Sequence, residues 1–142
     1  MSTANRGRTM DKVIEERFPN GQLQSRFNYK NGKKNGLYEQ WHKNGKPWIR
    51  ANYKLGNLDG LFEAWYENGQ VKERANYKDD HRDGLSEWWF ENGQIQFRIN
   101  FKNGKLHGLS EWWNENGQLI FRKTYNNGIK VPDSKGKPSY TI

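Results

Sequence analysis

Five glutamates stand 24 residues apart, at Glu15, Glu39, Glu63, Glu87 and Glu111. Five arginines keep the same step, at Arg26, Arg50, Arg74, Arg98 and Arg122. Neighbouring carboxylates can do general acid–base work, but that chemistry needs two unlike environments in one cleft. A carboxylate copied into every repeat, and matched each time to an arginine, reads instead as a structural ladder. The histidines carry no better case. His42, His81 and His107 fall in different repeats, without the cysteines or the clustered spacing of a metal site. The glycines form no phosphate-binding loop ahead of a helix and read as turn residues. The chain is therefore expected to have no catalytic residue, no metal and no cofactor, and to be no enzyme.

The elements that position these residues are also periodic. Asn-Gly recurs at Asn20-Gly21, Asn44-Gly45, Asn68-Gly69, Asn92-Gly93 and Asn116-Gly117, and a second glycine at Gly36, Gly60, Gly84 and Gly108. A fixed period means one supersecondary unit copied along the chain. Each unit holds two segments rich in aromatic and β-branched residues with period-2 alternation, the pattern of half-buried strands. The first type is 22–30, with copies at 46–54, 70–78, 94–102 and 118–126; the second is 37–42, with copies at 61–66, 85–90 and 109–114. Asn-Gly reads as a two-residue type I′ hairpin turn. The other link, Asn31 to Gly36, reads as a looser loop. Short loops force antiparallel neighbours. The expected fold is all-β: an antiparallel meander of 24-residue hairpin repeats in one elongated, twisted or curled sheet of nine or ten strands.

A two-residue Asn-Gly loop fixes the register. Lys43 then opposes Lys46, Trp41 opposes Trp48, and Glu39 opposes Arg50. The same count opposes Glu15 with Arg26, Glu63 with Arg74, Glu87 with Arg98 and Glu111 with Arg122, making residues 13–18 a capping half-repeat. One face then carries the ladder with Trp41, Trp65, Trp89 and Trp113, where arginine and tryptophan can stack. The other carries Phe27, Tyr29, Ile49, Tyr53, Val71, Tyr77, Ile95, Phe97, Ile99, Phe101, Leu119, Phe121 and Tyr125 as the main apolar surface. A single sheet cannot bury both faces, so it must curl or take a partner.

Composition agrees. Hydrophobic residues are 32% of the 142, aromatics 15%, and there is no cysteine. No apolar run approaches the ~20 residues of a membrane span, and the first residues lack a secretory apolar core. A cytoplasmic location is expected. Residues 1–12 are expected to be flexible, 13–130 to form the array, and 131–142 to be a tail that frays or lies across the last strand edge. The formal charge of +8 suggests an acidic partner.

The stretches G-L-F-E-A-W-Y-E-N-G-Q at 60–70, G-L-S-E-W-W-F-E-N-G-Q at 84–94 and G-L-S-E-W-W-N-E-N-G-Q at 108–118 resemble MORN repeats. They are most similar to the variant repeats of stand-alone bacterial YwqK-type antitoxins. The copy at 36–46 departs only at Lys43 and Lys46. The resemblance implies a non-catalytic binding module, an antitoxin or immunity protein that neutralises a cognate toxin. It also implies an alternative, a scaffold or membrane-surface adaptor on anionic phospholipid.

Candidate contact residues follow from the pleat. The doublets Trp88-Trp89 and Trp112-Trp113 place an indole on each side of the sheet. Trp88 and Trp112, with Tyr38, Phe62, Tyr66 and Phe90, are the expected protein-binding surface. Lys33, Lys34, Lys102 and Lys105 are the expected anion-binding loop residues. Nucleic acid is the less favoured partner, because each arginine already faces a glutamate and Asp79, Asp80 and Asp83 interrupt the basic edge. An open sheet edge also leaves self-association as an expected interaction.

Overall fold

Two kinds of turn alternate along the chain, and their geometry sets everything else. The computed structural model describes residues 11–133 and 140–141. It contains β1 (Asp11–Arg17), β2 (Leu23–Lys30), β3 (Lys33–Trp41), β4 (Pro47–Lys54), β5 (Asn57–Trp65), β6 (Val71–Lys78), β7 (His81–Arg82), β8 (Gly84–Trp89), β9 (Ile95–Lys102), β10 (Lys105–Trp113), β11 (Leu119–Asn126), β12 (Ile129–Lys130) and β13 (Tyr140–Thr141). All pair antiparallel in one 13-stranded sheet that follows chain order, with β7 and β13 attached beside β6 and β11. The all-β meander is therefore as expected, with three two-residue strands, β7, β12 and β13, added. Residues 1–10 of the expected flexible segment, and 134–139 and 142 of the tail, lie outside the described residues.

The turn types are exchanged relative to the sequence reading. The Asn-Gly turns are not type I′. Gly45 N–H donates to the His42 carbonyl (2.9 Å) and His42 N–H to the Lys46 carbonyl (2.8 Å), so the loop has three residues. Only Gly45 takes positive φ, at 85°. The Asn44 side chain accepts from Lys46 N–H (2.9 Å) and donates to the Glu67 carbonyl of the next repeat (2.9 Å). Asn68 and Asn92 make the same two bonds, so this asparagine ladder stitches one edge of the sheet. The type I′ geometry sits at the opposite edge, in the links read as looser loops. Both central residues have positive φ in Asn31-Gly32, Leu55-Gly56, Asp79-Asp80, Asn103-Gly104 and Asn127-Gly128.

Bulges then cancel the difference. His42 and Lys46 close the turn in place of Lys43 and Lys46, and Trp41 opposes Pro47, not Trp48; a bulge next to that pair restores Glu39 against Arg50. A second irregularity follows the first four type I′ turns; after the first, Asn28 stands against the chain between Lys34 and Tyr38. There Asn28 donates to the Leu37 carbonyl (2.7 Å), and Gly36 has φ 96°. Asn52 and Asn100 repeat the bond, and a Cβ on Gly108 would stand 3.3 Å from the Asn100 Cβ. This bond accounts for the paired asparagine and glycine of three repeats, Asn28 with Gly36, Asn52 with Gly60 and Asn100 with Gly108.

Leu55 is a bulky residue at φ 48° and is 54% exposed. Asparagine tolerates that conformation at lower cost. Leu55→Asn is expected to stabilise the fold by about 1 kcal/mol, measured by urea unfolding. Ser110 presents the reverse defect, a buried hydroxyl with no hydrogen-bond partner among the described residues. Ser110→Ala is expected to be neutral or to stabilise by up to about 1 kcal/mol in the same assay.

Candidate binding faces

The pleat separates two chemically distinct faces. On the first, the glutamates and arginines form one cross-strand row from β1 to β11. Glu15 opposes Arg26, Arg26 opposes Glu39, Glu39 opposes Arg50, and the alternation runs on to Glu111 and Arg122. Ion pairs join Arg26 to Glu15 (2.8 Å), Arg74 to Glu63 (3.2 Å) and Arg98 to Glu87 (3.1 Å). Arg26, Arg50 and Arg74 also lie over Trp41, Trp65 and Trp89, at 5.7–5.9 Å from the ring centroids. The arginine hydrogen bond to the Glu15 carboxylate holds its pKa below the ordinary carboxylate value. At the far end Glu111 is buried. These charges satisfy one another, as a structural ladder requires.

Val71, Ile95 and Leu119 belong to this face and not to the apolar one. Each opposes a tryptophan directly, Trp65, Trp89 and Trp113. The bulge beside the turn shifts register at these pairs, which is why the alternation count misplaced them.

The second face carries the aromatic surface, in rows that cross the sheet. One runs Ile14, Phe27, Tyr38, Ala51, Phe62, Ala75 on β1 to β6. The next runs Ser25, Gln40, Ile49, Ala64, Glu73, Trp88, Phe97, Trp112, Phe121 on β2 to β11. The aromatic ridge therefore changes row midway. In the first half Phe27 stacks on Tyr38 at 4.5 Å, and in the second Trp112 stacks on Phe121 at 4.6 Å with Phe97 edge-on to it. Only alanines are buried among the described apolar residues: Ala51, Ala64 and Ala75. The rings cover the small residues between them, and among the described residues no second layer covers the rings. Trp112 remains 40% exposed.

At the row change sits a polar knot. Arg82 is paired with Glu73 (2.9 Å), donates to Ser86 Oγ (3.1 Å) and lies 4.7 Å from the Trp88 ring centroid. Trp88 Nε1–H donates to Glu73 (2.8 Å). Sequence reasoning missed this cluster. Its signal was a break in the period: Glu73 stands where other repeats have Ile49 and Phe97, and Arg82 where they have Leu58 and Leu106.

The six expected protein-contact residues divide. Tyr38, Phe62, Trp88 and Trp112 share the aromatic face. Tyr66 and Phe90 lie at the Asn-Gly edge, where the Tyr66 hydroxyl donates to the Trp89 carbonyl (2.7 Å). The four lysines divide too. Lys34 lies on the aromatic face with its Nζ 5.0 Å from Phe27 and 5.2 Å from Tyr53. Lys33, Lys102 and Lys105 lie on the ladder face at the type I′ edge, in one row with Lys30, Lys54 and Lys78. No ion pair engages this row among the described residues. Nor does any group of three or more His, Asp or Glu gather there to hold a metal. Among them no helix is long and apolar enough to cross a membrane.

Tyr38 is pushed up to about 12 by burial and, secondarily, by Tyr53 and Glu16. Burial raises Tyr53 and Tyr77 as well. A proton held more tightly in the folded chain gives stability that is complete below the unfolded value near 10 and fades as pH rises to about 12. Alkaline unfolding followed by tyrosinate absorbance and circular dichroism is expected in that window, and Tyr38→Phe is expected to move its midpoint upward.

No curated protein matches the chain. The MORN repeat variant family matches it five times in tandem, at 10–31, 34–55, 58–79, 82–103 and 106–127. Each match from 34 onward spans one hairpin, from just after one type I′ turn to the start of the next. The matches cover most of the chain, and it belongs to the MORN repeat variant family, whose repeats are binding modules.

Proposed function

We propose that this protein is an antitoxin or immunity protein that binds and neutralises a cognate toxin in the cytoplasm, without catalysis of its own. The toxin docks on the second half of the aromatic face. The observation that carries this reading is Trp112: large, 40% exposed, and backed by Phe121 and Phe97 on a face that no second layer covers among the described residues. Rigid aromatic anchors with apolar support are what interface hot spots are made of. The anchor is already held by its neighbours, so little side-chain entropy is lost on docking. Trp88 is a weaker anchor because Glu73 and Arg82 engage it.

The row of lysines favours a second reading, a scaffold or adaptor lying on anionic phospholipid through Lys33, Lys102 and Lys105 with their neighbours. Each exposed lysine near such a surface contributes about 1 kcal/mol. Lys34 takes no part in it, being held among rings on the other face. Liposome flotation abolished by moderate salt would mark this route.

Trp112→Ala is expected to weaken the complex with the captured toxin by ~2 kcal/mol or more, read by calorimetry. Trp48→Ala, at an equally exposed indole stacked on His42, is expected to leave it unchanged. Equal affinity for wild type and Trp112→Ala, with the variant folded, would remove the proposed interface.

A further inference from the structure

The two ends of the sheet are finished differently. At the C-terminal end the chain covers its own last long strand: β12 pairs with Tyr125 and Asn126, and β13 with Phe121 and Arg122. At the N-terminal end β1 pairs with β2 and, among the described residues, with no other strand. Its outer row of backbone donors and acceptors is a template for another strand. All of its residues but Ile14 are exposed, and Val13 is 57% exposed.

Charged side chains usually protect such an edge by repelling a second strand. Here the order of charges inverts about the centre of the strand. β1 reads Asp-Lys-Val-Ile-Glu-Glu-Arg. Set antiparallel to its own copy about a two-fold axis at Ile14, it opposes Asp11 with Arg17, Lys12 with Glu16, Val13 with Glu15, and Ile14 with Ile14. Each charge pair occurs twice, and no like charges meet. The neighbouring registers fail this test. One step either way opposes Asp11 with Glu16 or Lys12 with Arg17, and two steps oppose Asp11 with Glu15 or Glu15 with itself.

We infer that β1 is a self-complementary edge through which two copies of this chain join into one continuous sheet. The interface is isologous, with the two-fold axis normal to the sheet, so each face continues on its own side. Ile14 opposes Phe27 in the aromatic row, and at the junction it meets its own copy there. The two aromatic ridges then run on across the dimer. Lys12 and Glu16 share that face and have no ion-pair partner within the chain among the described residues, so both are free to make the new pairs. Glu15 keeps its bonds to Arg26 and Arg17. The proposal stands independently of what the aromatic face binds.

Sedimentation of the full chain over a concentration series tests it. A reversible dimer is expected for the wild type. Lys12→Glu and Glu16→Lys each set like charges opposite twice, and each is expected to weaken dimerisation by about tenfold or more. An equimolar mixture of the two variants restores both pairs and is expected to dimerise as the wild type does. Directly opposed residues in such a pair have Cα atoms about 4.5–5.5 Å apart, within disulfide reach. The chain has no cysteine, so Ile14→Cys is expected to give an oxidised dimer where Leu55→Cys does not. A wild type that stays monomeric at all concentrations overturns the proposal. So does a dimer indifferent to both charge reversals.

Discussion

The structure depends on register being preserved through a long series of hairpins. A slip of one residue would move every later side chain to the opposite face. In each Asn-Gly hairpin the loop length would cause such a slip and a bulge cancels it. The three-residue Asn-Gly loop is offset by the bulge beside Trp41 and its equivalents. After the type I′ turn the irregularity opposite Asn28 moves the pairing by two residues, which keeps every side chain on its face, and the Asn28 side chain bonds the Leu37 carbonyl there. The unbroken row from Glu15 to Arg122 results from these cancellations and also guards them, since a slip would set like charges or apolar side chains against each ion pair.

Energetically this is a fold made of neighbours. Among the described residues the buried apolar ones are three alanines, and the large rings lie half-covered above them. Cross-strand pairs of ~0.2–1 kcal/mol each, added over the array, replace the second layer that most domains use. Surface ion pairs are individually weak, so the ladder contributes mainly through number and specificity. Among the described residues no second layer lies on the aromatic face, and its rings stay partly exposed. The same economy leaves a strand edge, which the chain closes at one end with β12 and β13.

Much of this was legible in the residues. Period, strand alternation, the Glu–Arg register and the division of Trp41, Trp65, Trp89 and Trp113 from Phe27, Tyr53, Tyr77 and Phe97 all follow from spacing. Turn geometry did not, because one dipeptide serves both edges: Asn31-Gly32 is a type I′ turn and Asn44-Gly45 is not. What separates them is loop length: Lys43 joins Asn44 and Gly45 in a three-residue loop closed by His42 and Lys46. Local pattern cannot show it. Val71, Ile95 and Leu119 were misplaced for the same reason, since the bulge that moves them belongs to the turn. The Glu73–Arg82–Trp88 cluster was visible only as a departure from the repeat, and its meaning needed the β6–β8 pairing.

The central claim is that the aromatic face is where this protein meets its partner. Hydroxyl-radical footprinting reads that most directly, comparing the free chain with the chain bound to the protein that copurifies from its own cells. The account predicts protection concentrated at Trp112, Phe121 and Phe97, with Trp48 and the Arg–Trp face unchanged. Protection of Trp41, Trp65 and Trp89 with Trp112 still fully reactive would contradict it.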